Sequence, residues 1–193
     1  MVSFNENDKV FFVSDTHFWH TNIIKYCNRP FDTVEEMNEK LISNWNSVVN
    51  KDDTVFHLGD FAFCGPTKAK VILEQLNGNI ILVRGNHDYD SVLKLFNKVY
   101  DQLIIKIGEE LIYLNHYPFL TYAGAYRENV YQLFGHVHTC KHADNIEDEE
   151  VKTILDGDIG RLQYLLPRQY DVGVDNNNFT PVTWKQIKEI NKW

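Results

Sequence analysis

A chain of 193 residues, 44% of them hydrophobic, is long enough to close one core that buries roughly 70% of the surface of its unfolded form, and one domain over residues 1–193 is the simplest organisation. Its formal charge of −8 argues against binding nucleic acid mainly through a basic surface. Cys27, Cys64 and Cys140 are odd in number and scattered, so neither a disulfide framework nor a thiolate zinc site is suggested, and no stretch approaches the 18 or so apolar residues of a membrane span.

In chain order, residues 1–9 are polar and carry no apolar signal core, so the expected location is the cytoplasm. Val10-Phe11-Phe12-Val13 reads as a first central strand ending at Asp15 and His17. A helical turn is expected around residues 23–26. A long helix follows, with Thr33 and Glu36 forming a capping box and Val34, Met37, Leu41, Trp45, Val48 and Val49 recurring on one face. Residues 54–58 form a second strand that delivers Gly59 and Asp60. A helix over 66–76 starts at Pro66 and ends at Asn77-Gly78.

Ile80-Ile81-Leu82-Val83 then reads as a strand buried on both faces, stopping at Gly85-Asn86-His87-Asp88. Strands alternating with helices indicate an α/β layered fold with a largely parallel sheet. After a short helix over 91–97 the pattern changes. Residues 99–107 and 111–115, separated by Gly108-Glu109-Glu110, read as an antiparallel hairpin. Residues 117–133 form an aromatic loop, with Tyr117, Phe119, Tyr122, Tyr126 and Tyr131, that would rim a site. The acidic-then-apolar stretch 141–166 is an excursion, a lid or a contact surface. Residues 170–174 are a last strand, and Thr183 with Gln186 caps a final helix whose Trp184, Ile187 and Ile190 would point inward.

The strand tips collect Asp15, His17, Asp60, Asn86, His116, His136 and His138. These are oxygen and imidazole donors without a thiolate, a set suited to borderline divalent metals rather than calcium. Seven donors exceed one tetrahedral site and suffice for two ions if one carboxylate bridges them. His20, His57 and His142 match no such pattern and are expected to pack or face solvent. Arg29, Arg84 and Arg127 read equally as phosphate clamps or surface ion pairs. Asp156-Gly157-Asp158 lacks the spacing of a calcium loop.

Asp15-x-His17, Gly59-Asp60, Gly85-Asn86-His87-Asp88, His116 and Gly135-His136-x-His138, in this order, resemble the calcineurin-like metallophosphoesterase superfamily. The close, Asp171-Val172-Gly173-Val174-Asp175 with Pro181-Val182, is similar to its small prokaryotic and phage members. The resemblance implies a four-layer αββα sandwich with mixed sheets and two divalent transition metals, manganese preferred and iron, zinc, nickel or cobalt as alternatives. By motif position, one metal would be held by Asp15, His17, Asp60 and His138 and the other by Asp60, Asn86, His116 and His136, with Asp60 bridging. A hydroxide between the metals would attack the phosphate ester, His87 would contact the phosphate or protonate the leaving oxygen, and Asp88 would orient His87 by hydrogen bonding. Many relatives carry a carboxylate three residues after the bridging Asp, where this chain has Phe63. The implied activity is that of a metal-dependent phosphoesterase on a small phosphate ester or nucleotide, with a phosphodiester favoured. The alternatives are a phosphomonoesterase, including a protein phosphatase, and a non-catalytic protein-interaction module of the same fold. Neither a membrane partner nor stable nucleic-acid binding is expected, and the oligomeric state is left open.

Overall fold

A computed structural model of the chain describes residues 1–139 and 160–193. Among these residues, strands form two five-stranded sheets. One has the order β10-β2-β3-β4-β5, from β2 (Val10–Val13), β3 (Thr54–His57), β4 (Asn79–Val83), β5 (Val99–Tyr100) and β10 (Val182–Thr183). Here β2 to β5 run parallel and β10 is antiparallel to β2. The other has the order β1-β6-β7-β8-β9, from β1 (Val2–Phe4), β6 (Leu103–Ile107), β7 (Glu110–Leu114), β8 (Val130–Phe134) and β9 (Gln169–Asp171). Only β6 and β7 in it are antiparallel, forming the expected hairpin.

The apolar run of β2 explains the layering, because successive side chains of a strand point to opposite faces. Phe11 and Val13 join Val55 and Leu82 on the helical side. They pack there with Met37, Leu41 and Trp45 of α2 (Val34–Val48), Ala69 and Ile72 of α3 (Pro66–Leu73) and Val92 of α4 (Asp90–Leu93). Val10 and Phe12 point the other way, joining Phe56, Ile81 and Val83 against Ile105, Ile112, Leu114 and Leu133 of the second sheet. Phe12 and Phe56 stack between the sheets with ring centres 5.8 Å apart. Each such side chain contributes about 1.5–3 kcal/mol of burial. The result is an α/β fold of two mixed sheets face to face, flanked by helices.

Capping follows the sequence closely. Thr33 accepts from Glu36 N at 3.1 Å, although the Glu36 carboxylate reaches the Asp32 amide instead of completing a box. A full box forms between Thr183 and Gln186 at the start of α5 (Trp184–Asn191). Trp184 and Ile187 of α5 are buried, but Ile190 is 56% exposed. Each three-residue step rotates about 60° short of a full turn, so the third member leaves the stripe.

Several elements differ from expectation. The single strand over 99–107 is two, because the chain leaves one sheet after Tyr100 and enters the other at Leu103, and one strand cannot pair in both. The polar start conceals β1, whose Val2 and Phe4 pack on the inter-sheet core. Part of the expected aromatic loop, from Val130, is the buried strand β8. Of the stretch 141–166, residues 141–159 lie outside the described residues, as do Cys140, His142 and Asp156-Gly157-Asp158. No helix among the described residues is long and apolar enough to cross a membrane.

Candidate metal centre

All seven donors sit just beyond strand carboxyl ends, the place where open α/β sheets present their functional groups. β2 delivers Asp15 and His17, β3 delivers Asp60, β4 delivers Asn86, β7 delivers His116, and β8 delivers His136 and His138. Two backbone bonds join the sheets at this edge: Ser14 N donates to Val172 O at 3.1 Å, and Val174 N donates to Ser14 O at 3.0 Å. The tips are also sharply bent. Asp15, His17, Asp60, His136 and His138 all have positive φ, at 58°, 49°, 57°, 71° and 43°. The left-handed conformation costs about 1–2 kcal/mol per non-glycine residue, and five such residues at one site mark a surrounding structure that over-determines them. Glycine is required where the tips touch. A Cβ on Gly85 would strike the Asp60 carboxylate and amide, and one on Gly135 would strike Ser14 Oγ and the Asp15 carboxylate.

Asp60 occupies the centre. Its Oδ2 lies 3.5 Å from His17 Nε2 and 3.6 Å from His116 Nε2, while Oδ1 accepts from the His87 amide at 2.8 Å. Asp15 Oδ1 lies 4.0 Å from His17 Nε2 and 3.8 Å from His138 Nε2. Two donor groups follow, Asp15 with His17 and His138, and Asp15 with Asp60 and His116, each with its ligand atoms within 4.8 Å of one another. Asn86 Oδ1 is 2.8 Å from His116 Nε2, and the His136 ring centre is 5.1 Å from that of His116, so both border the second group. Asp15 thus belongs to both groups, and Asp60 reaches both through its distances to His17 and His116.

Two of these donors are orphans. Asp15 Oδ1 and His17 Nε2 are buried and make no hydrogen bond with the described residues. Leaving such groups unpaired is costly, and a cation between them repairs both at once. With no thiolate in either group, the oxygen and imidazole donors fit divalent transition metals. Burial presses His17 well below its ordinary proton affinity, aided by His138 and Arg29, so its lone pair stays available. Burial also pushes Asp60 up to about 6 against the pull of His116. Asp15 is held below its ordinary value despite burial, through His138 and His116. A third group, Cys27 with His138 and Asp175, is geometrically close, but both Asp175 oxygens are already bonded by Arg29 and His138.

His87 is exposed at the lip, its ring 5.7 Å from those of His17 and Phe63. Asp88 corrects an expectation. It is buried and does not hydrogen-bond the His87 side chain. Oδ2 accepts from Asp60 N at 2.9 Å and Gly85 N at 2.8 Å, and Oδ1 accepts from Phe61 N at 2.9 Å. Adjacent residues flanking a bend point apart, and Asp88 pins the Gly85 turn to the Asp60 loop.

His57 packs as expected: fully buried, it donates from Nε2 to Thr16 Oγ1 at 2.9 Å, since that hydroxyl gives its own proton to Phe61 O. His20 does more than pack or face solvent. Its Nδ1 lies 3.2 Å from His17 Nδ1, so one ring donates and the other accepts. Phe63, 37% exposed, stacks on His20 with ring centres 4.2 Å apart. Arg84 pairs with Asp90 at the surface, whereas Arg29 is neither clamp nor surface pair but fully buried against Asp175. Asp171 receives Thr139 N and Oγ1 and Gly173 N, and burial pushes it up to about 7.

Residues 9–167 match the sequence profile of the calcineurin-like phosphoesterase superfamily domain. An uncharacterized protein of Methanocaldococcus jannaschii, MJ1445, is 57% identical over 82 residues, 42% of this chain and 47% of that protein. The Gene 66 protein of Mycobacterium phage L5 is 40% identical over 81 residues, 40% of this chain and 38% of that protein. The match therefore spans less than half the length of these curated relatives. The solved structure of AQ665 from Aquifex aeolicus, titled a protein of unknown function, superposes on 95% of this chain and 100% of its own, with a TM-score of 0.69 at 27% identity.

Proposed function

The chain belongs to the calcineurin-like phosphoesterase superfamily, and from that premise we propose that it is a dinuclear metal-dependent phosphoesterase acting on a phosphodiester. The observation that carries this reading is the pair of orphaned donors, Asp15 Oδ1 and His17 Nε2, facing the central Asp60 carboxylate. Asp15, His17, Asp60 and His138 would hold one ion, and Asp60, Asn86, His116 and His136 the other. Bound divalent cations supply a lowered pKa for water and neutralisation of phosphate charge.

The remaining work falls to the chain. The His87 amide, anchored on Asp60 Oδ1, fixes the turn that carries the imidazole, and the ring stands exposed where a phosphate oxygen would emerge. As water adds to phosphorus and releases one proton to solvent, the P–O ester bond breaks and His87 gives its own proton to the departing oxygen, a transfer suited to an imidazole. Asp88 holds the turn from below through the amides of Gly85, Asp60 and Phe61. The diester preference rests on exposed rings beside the site: the Tyr117 ring lies 4.6 Å from that of His136, while the Phe63 ring lies 5.7 Å from that of His87 and 6.0 Å from that of Tyr89. Such faces suit a flat leaving group such as a nucleoside.

The test compares bis-p-nitrophenyl phosphate with p-nitrophenyl phosphate after stripping and reconstitution with manganese. Faster diester turnover, abolished in His87→Ala with two ions retained, is expected. Faster monoester turnover would reassign the substrate class, and wild-type turnover in His87→Ala would remove its role. Asp60→Ala should lower the occupancy of both ions; full occupancy would refute the bridge.

A further inference from the structure

The geometry points to Arg29 and Asp175 as a buried positioning unit that holds one of the two ion positions, the one at Asp15, His17 and His138, and that meets the donors around Asp60 and His116 only through Asp15. This rests on the reading of those three residues as metal ligands. Arg29 is wholly buried, and each of its five N–H donors has an acceptor. Nε donates to Asp175 Oδ1 at 2.8 Å and Nη2 to Asp175 Oδ2 at 2.8 Å, a bidentate pair. Nη2 also donates to Asp15 O at 2.7 Å, and Nη1 donates to Thr16 O at 3.1 Å and Met37 Sδ at 3.4 Å. One guanidinium therefore grips the backbone of the β2 tip, where Asp15 and His17 have left-handed φ.

Asp175 carries the grip across the sheets. Its Oδ2 accepts from His138 Nδ1 at 2.8 Å, which fixes the imidazole with Nε2 turned toward Asp15 Oδ1. A ligand histidine whose other nitrogen donates to a carboxylate is held in tautomer and orientation, and losing that partner typically weakens metal binding about 10–100-fold. Among the described residues, the hydrogen bonds of Arg29 and Asp175 do not reach Asp60, Asn86 or His116. The unit acts through the ligands and does not contact substrate.

The experiment is a cobalt titration of the stripped full chain, followed by calorimetry and the d–d absorption bands. Asp175→Asn and Arg29→Lys are compared with wild type and with Ile23→Val, a change at a buried position in the helix Thr21–Tyr26 that lowers stability without altering a hydrogen bond of the unit. Wild type and Ile23→Val should bind two ions per chain. Asp175→Asn and Arg29→Lys should keep one ion at wild-type affinity and weaken the other by about 10–100-fold. Lysine cannot reproduce the fork, so Arg29→Lys should not rescue. Two ions at wild-type affinity in Asp175→Asn, or equal weakening of both, would overturn the inference. Wild type binding fewer than two ions would instead overturn the dinuclear reading and the inference with it. If Asp175→Asn fails to fold, Arg29→Lys carries the same two outcomes.

Discussion

Gly85→Ala inserts a methyl group between the β4 turn and the central carboxylate of the site. The new Cβ would stand 2.5 Å from Asp60 N and closer still to Asp60 Oδ1, against an ordinary contact of at least 3.4 Å, so the Asp60 loop must retreat by about 0.9 Å. It cannot retreat freely, because Asp60 N and Gly85 N are both bonded to Asp88 Oδ2. Overpacking of this kind costs about 1–3 kcal/mol. At about 2–4 °C per kcal/mol for a chain of this size, Tm should fall by about 2–12 °C. Metal–ligand distances tolerate only about 0.2 Å, so the same shift should sharply reduce occupancy at both ion positions. Differential scanning calorimetry with and without EDTA, beside metal analysis of the reconstituted protein, separates the two effects. Gly65→Ala is the control, because nothing lies within 4 Å of its Cβ and little change is expected. A Gly85→Ala protein that melts with wild type and holds two ions would refute the packing argument.

Chelation should destabilise the protein, since it returns Asp15 Oδ1 and His17 Nε2 to their unpaired state. A ligand at 100 times its dissociation constant stabilises by about 2.7 kcal/mol, which corresponds to about 5–11 °C in Tm, and an EDTA melt equal to the metal-loaded one would count against an ion there. In the metal-free protein, stability should fall as pH rises from about 4 to 7. Burial raises Asp60 to about 6 and Asp171 to about 7, so the folded state keeps protons that the unfolded chain releases near 3.8, and that advantage is lost as pH passes the folded values. Urea midpoints in EDTA across that range should show the slope, flattened in Asp171→Asn; a rising midpoint would contradict the sign. Phe56→Ala empties the centre of the inter-sheet core, where Phe56 stacks on Phe12 and meets the edge of Phe4, and should cost about 3–5 kcal/mol in a denaturation series.

Elements with local signals are legible in the chain. The apolar runs of β2 and β4, the caps of α2 and α5 and the hairpin at Gly108 depend on residues close in the chain, and they form where their patterns lie. The candidate donors stand out in the sequence for the same reason, since each follows a strand. What those donors meet depends on how distant segments pack. The division of residues 99–107 between two sheets, the inward turn of Asp88 and the stacking of Phe63 on His20 are pairings between distant segments that leave no local periodicity. Arg29 is the sharpest instance. Its partner Asp175 is 146 residues away, and a buried guanidinium and a surface one have the same sequence signature until a fold surrounds one of them.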